Sequence, residues 1–117
     1  MSFLSLAGDD GFELAPGAIA KAVFGERGML NVVELQPGAE VPLHSHPHEQ
    51  LGLILSGSMT MVVDGEAHEC GLMDAYVLPG GVEHGGTAGP QGATVLDVFV
   101  PVREDYRERA EVTRARP

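Results

Sequence analysis

Two of the five histidines in this chain, His44 and His46, are separated by one residue. In an extended strand, residues two apart point the same way, so both imidazoles could grip one ion. Gln50 has the same parity, and its amide oxygen can serve as a neutral ligand, although Pro47 disturbs the strand between them. His84 lies far along the chain behind the turn Pro79-Gly80-Gly81, where a closed barrel could bring it round as a fourth ligand. The competing reading of the pair is two exposed polar strand residues. His48 and His68 follow turn-prone runs and are expected at the surface or behind the ligands, with His48 the substitute if His44 or His46 does not bind. Glu49 and Glu83 have the opposite parity to their ligand neighbours and are expected to point elsewhere.

A second set stands near the end of the chain, where strand alternation puts Asp97, Phe99, Pro101 and Arg103 on one face and Leu96, Val98, Val100 and Val102 on the other. A carboxylate in mid-strand is costly to bury unless it is paired or used. Either Asp97 and Arg103 form an ion pair that closes the barrel end, or the set is functional. In the functional reading Asp97 moves a proton at a metal-bound substrate, Phe99 packs against the substrate ring, and Arg103 clamps a carboxylate with its planar fork.

The elements that must position these residues read as short strands. Turn signals at Gln36-Pro37-Gly38, Ser56-Gly57, Asp64-Gly65, Pro79-Gly80-Gly81 and Gly89-Pro90-Gln91-Gly92 punctuate the runs NVVEL, VPLHSH, LGLIL, SMTMVV, DAYVL and ATVLDVFV. This spacing indicates an all-β sandwich or barrel. Only the charged tail from Asp105 to Arg116 could form a short helix. In LGLIL the odd positions Leu51, Leu53 and Leu55 are apolar, yet Ile54 shares the other face with Gln50. Leu96 and Val98 oppose Phe99 in the same way. Both strand faces therefore look covered, and one sheet is expected to pack on a second subunit, making a homodimer.

The 117 residues suffice for one domain and one core. A formal net charge of -10 repels phosphate backbones and anionic membranes, so neither nucleic acid nor membrane is an expected partner. The one basic cluster, Arg103, Arg107, Arg109, Arg114 and Arg116, is interleaved with Glu104, Asp105, Glu108 and Glu111. Cys70 is the only cysteine, which excludes an intrachain disulfide and suits a reducing compartment. The N-terminal residues lack a basic segment and run into Asp9-Asp10, so a cytoplasmic protein is expected.

Gly38, five residues, His44-x-His46, three residues, Gln50, six residues and Gly57 resemble the first cupin motif, with Gln50 where most members have glutamate. Pro79-x-Gly81-x-x-His84 is similar to the second motif, with Ala88 in place of a frequent asparagine and Gly71 two residues further from Pro79 than the strict pattern. The resemblance implies a single-domain cupin double-stranded β-helix, a jelly-roll barrel, with its core over about residues 30–103. Strands in residues 1–29 would precede it and a short charged tail, 104–117, would follow. It also implies one divalent transition metal (nickel, zinc, iron, manganese or cobalt) on His44, His46, Gln50 and His84. Gln50 leaves that site one negative charge poorer than glutamate would, which strengthens a bound metal as a Lewis acid and favours non-redox chemistry.

Within the family, HSHPHEQLGLILSG and LDVFVPVREDY look like the small cupins of the KdgF type, which act on unsaturated uronates. Val100-Pro101-Val102 departs from their usual serine and two prolines. This resemblance implies that Asp97, Phe99 and Arg103 serve catalysis on a small anionic, carbohydrate-like substrate. A 4,5-unsaturated monouronate would become its linear 4-deoxy-5-keto form. The rivals are a metal-dependent dioxygenase, a biosynthetic lyase or cyclase on another small carboxylate or ketone, and a non-catalytic ligand sensor.

Overall fold

The computed structural model describes residues 1–114. Arg116 and the end of the expected 104–117 tail lie outside the described residues. The elements run β1 (Phe12–Ala15), β2 (Ala18–Phe24), β3 (Met29–Leu35), β4 (Glu40–His44), β5 (Glu49–Val63), β6 (Glu66–Cys70), β7 (Ala75–Leu78), β8 (His84–Val100) and α1 (Glu104–Arg114).

All the pairings are antiparallel, and β5 and β8 are long enough to serve two sheets. Residues Glu49–Gly57 of β5 pair with Ala93–Val100 of β8, and this half of the ladder continues through β3 and β2 to β1 on one side and to β7 on the other. Residues Met59–Val63 of β5 pair with His84–Ala88 of β8, flanked by β4 and β6. This arrangement is the jelly-roll barrel of a single domain. β1 and β2 extend the first sheet and so belong to the barrel itself.

The expected turns at Ser56-Gly57 and Gly89-Gly92 are bends inside β5 and β8, a correction to the sequence reading. Between the pairs Gly57↔Ala93 and Met59↔Ala88 the ladder skips a register. Gly57 and Gly92 both hold positive φ, 72° and 76°, and a Cβ on Gly57 would run into the Gly92 carbonyl. Glycine here lets both strands turn the barrel corner without breaking. Asp64-Gly65 does form a tight hairpin turn, with φ of 49° and 80°.

Alternation sets the core. Met29, Asn31, Val33 and Leu35 of β3 point inward, as do Val95, Asp97 and Phe99 of β8 and Gln50 and Ile54 of β5. The alternation expected for the last strand holds only to Phe99. The chain leaves the ladder after Val100, where Pro101 has no N–H to give, and Pro101 is exposed while Val102 and Arg103 are both buried. Behind it, α1 is tied to the first sheet by Arg114, which bonds Asp9 and the Ala22 carbonyl, and by Arg109 on the Glu13 carbonyl.

Among the described residues, nothing covers the outer face of the first sheet. Leu30, Leu51 and Val77 are exposed, and they adjoin half-buried Val98, with Val32, Leu96 and Leu53 in the next row. A second copy packed on this stripe would account for so contiguous an apolar surface. Light scattering is expected to give a dimer, whereas a monomer at micromolar concentration would leave the stripe free.

Candidate active site

His44 ends β4 and His84 opens β8, and the two are directly opposed across that pair, with ring centroids 4.4 Å apart. His46 lies in the bend after β4, not on the strand as expected. Pro47 explains this, because it disfavours continued pairing. The bend is pinned where the Gly81 N–H donates to the His46 carbonyl at 2.8 Å, so the two turns that carry the histidines are tied together. Gly80 permits the approach, since a Cβ there would strike the Pro47 carbonyl.

Potential ligand atoms of His44, His46 and His84 all lie within 4.8 Å of one another. Each ring also has its Nδ1 on a backbone carbonyl: His44 on Pro42 at 2.8 Å, His46 on His48 at 3.1 Å, His84 on Val82 at 2.9 Å. An Nδ1–H that donates there leaves Nε2 as a lone pair, which is how metal-binding histidines are oriented. His84 Nε2 is buried with no hydrogen-bond partner among the described residues. His46 Nε2 faces the Gln50 amide oxygen at 3.0 Å. Burial, with the Arg103 charge assisting, lowers His46 to a pKa of about 4, so the imidazole is neutral and two lone pairs confront each other. A cation among them resolves both features, so these side chains fit a divalent metal.

His48 stays outside the cluster and is half-buried, and His68 is exposed beside Glu66. Glu49 and Glu83 are exposed, in keeping with their parity.

One pleat further along the barrel lies Asp97. Its carboxylate accepts the Tyr76 hydroxyl at 2.5 Å. Register puts Asp97, Gly52 and Tyr76 side by side on adjacent strands, so the Tyr76 ring must cross Gly52 to reach Asp97. A Cβ on Gly52 would lie inside that ring. Gly52→Ala is therefore expected to displace Tyr76 and lower stability by about 1–3 kcal/mol in urea denaturation. Burial drives the Asp97 pKa up to about 6, even though Tyr76, Gln50 and Arg103 all pull it down. Burial also raises Tyr76, and the neighbouring Asp97 adds to the rise.

Arg103 does not pair with Asp97, which corrects the ion-pair reading. Its guanidinium bonds Asp105 at 2.8 Å and lies 3.7 Å from the Tyr106 ring centroid. The first turn of α1 supplies both partners and explains the preference. Burial pushes the Asp105 carboxyl up, but the Arg103 bond and charge outweigh it and hold the group below its ordinary value. One guanidinium nitrogen, Nη1, is buried without a hydrogen-bond partner among the described residues. Phe99 is almost wholly buried, edge-on to His46 at 5.5 Å and to Tyr106 at 5.7 Å, so it braces an imidazole as well as walling the pocket.

His44, Gln50, His84, Asp97, Phe99 and Arg103 line one pocket, and His46 stands against Gln50. Sequence reasoning missed three further polar lining residues, Asn31, Tyr76 and Tyr106. Asn31 carried a signal, being a polar residue in phase with inward Val33 and Leu35. Tyr76 shares the parity of buried Leu78.

A cupin-domain family model matches residues 31–99. The pectin degradation protein KdgF of Dickeya dadantii is 30% identical over 79 residues, covering 67% of this chain and 72% of that protein. The dimethylsulfoniopropionate lyase DddW of Ruegeria pomeroyi is 38% identical over 64 residues, 55% of this chain but 42% of the lyase, so the match spans less than half of the lyase's length. The solved structure of KdgF from Halomonas sp. superposes with a TM-score of 0.83 at 29% identity, covering 90% of this chain and 97% of that one. With the motifs, the barrel and the matched residues in agreement, the chain belongs to the cupin family, and its three-histidine cluster is that of a metal-binding cupin.

Proposed function

We propose that this protein is a metal-dependent cupin enzyme that converts 4,5-unsaturated uronate monosaccharides to linear 4-deoxy-5-keto uronates without redox chemistry. The observation that carries the reading is one pocket with the histidine cluster, a buried carboxyl at Asp97 and a buried guanidinium with a free nitrogen at Arg103. The similarity to two KdgF proteins supports the substrate class.

His44, His46, Gln50 and His84 would hold the metal, which when bound supplies Lewis-acid polarisation of substrate oxygens. Arg103 would pair its free Nη1 with the substrate carboxylate, with Asp105 and Tyr106 holding the guanidinium in place. The reaction is an isomerisation. The C1–O5 bond of the ring hemiacetal breaks as O1 loses its proton, C1 becomes an aldehyde, and O5 leaves as a C5 enolate that becomes a ketone as C4 gains a proton. Asp97 would carry that proton, a role supported by a pKa raised to about 6, where a carboxyl both accepts and releases near neutrality. Tyr76 orients the carboxyl, and Phe99 keeps water from the wall behind it.

The second reading is elimination on another small carboxylate, supported by the similarity to DddW. An oxygen-free ultraviolet assay with freshly made unsaturated galacturonate and guluronate separates the readings. Loss of the conjugated double bond above the spontaneous rate without oxygen supports the isomerase and excludes the dioxygenase. Release of an alkene from dimethylsulfoniopropionate, with uronates untouched, supports the lyase.

A further inference from the structure

Asn31 is 1% exposed, and neither its amide oxygen nor its amide nitrogen has a hydrogen-bond partner among the described residues. An interior polar group left in this state costs free energy on its donor and its acceptor alike, so a residue of this kind calls for an external partner. Its place is specific. Asn31 stands directly across from Asp97 in the β3–β8 ladder and lines the same pocket as Arg103 and the histidines. Met29, the preceding inward residue of β3, accepts the Arg103 backbone N–H on its sulfur. The start of the Arg103 side chain is thereby anchored one pleat, roughly 7 Å along the strand, from Asn31.

The two unpaired groups ask for different chemistry. Guanidinium Nη1 only donates and suits a carboxylate. A carboxamide donates and accepts together, which a carboxylate cannot satisfy but a hydroxyl can. Apolar Val33, Leu35 and Val95 continue the pocket beyond Asn31, so the polar demand is local.

We propose that Asn31 is a specificity-determining residue that takes up a hydroxyl of the substrate, so that the site selects hydroxylated carboxylates over carboxylates of similar size without hydroxyls. The proposal deepens the uronate reading and rests on it for the carboxylate at Arg103. It also disfavours a carboxylate that carries no hydroxyl, because such a ligand would leave both amide atoms buried and unpaired.

The test reads binding and stability, not turnover. Metal-loaded wild type and Asn31→Leu are compared by calorimetry with two unreactive probes, galacturonate and cyclohexanecarboxylate, and by thermal unfolding without ligand. Asn31→Leu is expected to raise the unfolding midpoint, to weaken galacturonate at least tenfold and to bind cyclohexanecarboxylate at least as tightly as the wild type does. Asn31→Thr, which restores a donor and an acceptor, is expected to recover part of the preference and keeps the test open if the leucine variant does not fold. Equal weakening of both probes, unchanged galacturonate binding, or no galacturonate binding by the wild type each overturns the proposal. If the selective loss appears while unsaturated uronates go unconverted, the role of Asn31 stands and the reaction falls. If uronates are converted but the probes do not discriminate, the reverse holds.

Discussion

Asp97→Asn is expected to keep its metal and lose turnover by about 10²–10⁴-fold, the usual contribution of a positioned acid or base. Asparagine still accepts the Tyr76 hydroxyl, so the packing across Gly52 survives while the transferable proton is gone. The same substitution also has a stability signature, which reads the raised Asp97 pKa directly. In chelated protein, the folded pKa of Asp97 stands at about 6, above its ordinary value of 3.8. A carboxyl shifted upward holds its proton more tightly when folded, so its contribution to stability is complete below pH 3.8 and is lost as pH rises through about 6. Two pKa units correspond to about 3 kcal/mol. Metal-free Asp97→Asn should therefore be more stable than metal-free wild type at pH 8, by a margin of that order, and nearly equal to it at pH 4. Urea denaturation at the two pH values measures this. Full activity in the variant would return Asp97 to a structural role.

His46→Ala is expected to remove metal and activity together. It deletes one of three converging imidazoles and leaves the Gln50 oxygen without the neighbour it faces. After dialysis, elemental analysis should find the variant close to metal-free, with conversion at the spontaneous rate. His48→Ala is the control, since that ring lies outside the cluster, and it should retain metal. Metal held at wild-type stoichiometry by His46→Ala would show that the ion sits elsewhere.

Much of this site was legible because strand periodicity is short and strict. Gln50 and Ile54, and Asp97 and Phe99, keep the parity that one extended strand imposes, and the His84 that the motif singles out pairs with His44 across β4 and β8. Legibility failed where the chain leaves a ladder. Pro101 is exposed while Val102 and Arg103 are both buried, so counting residues from Asp97 could not predict what Arg103 touches. Its partners, Asp105 and Tyr106, come from a helix whose docking is a tertiary outcome. The bends at Gly57 and Gly92 read as turns because glycine marks a positive φ in either setting, and only long-range pairing shows that β5 and β8 run on. Tyr76 escaped notice because its meaning depends on Gly52, a residue with no side chain to suggest chemistry.

The most direct test of a metal-dependent uronate enzyme is one assay on one sample in three states: metal-loaded, chelated and reloaded, each with its metal content measured. Decay of the conjugated double bond of unsaturated galacturonate is followed against the uncatalysed rate. Acceleration by the loaded protein should vanish on chelation and return in proportion to the metal restored, to one ion per chain. Acceleration that survives in metal-free protein, or none from fully loaded protein, would contradict it.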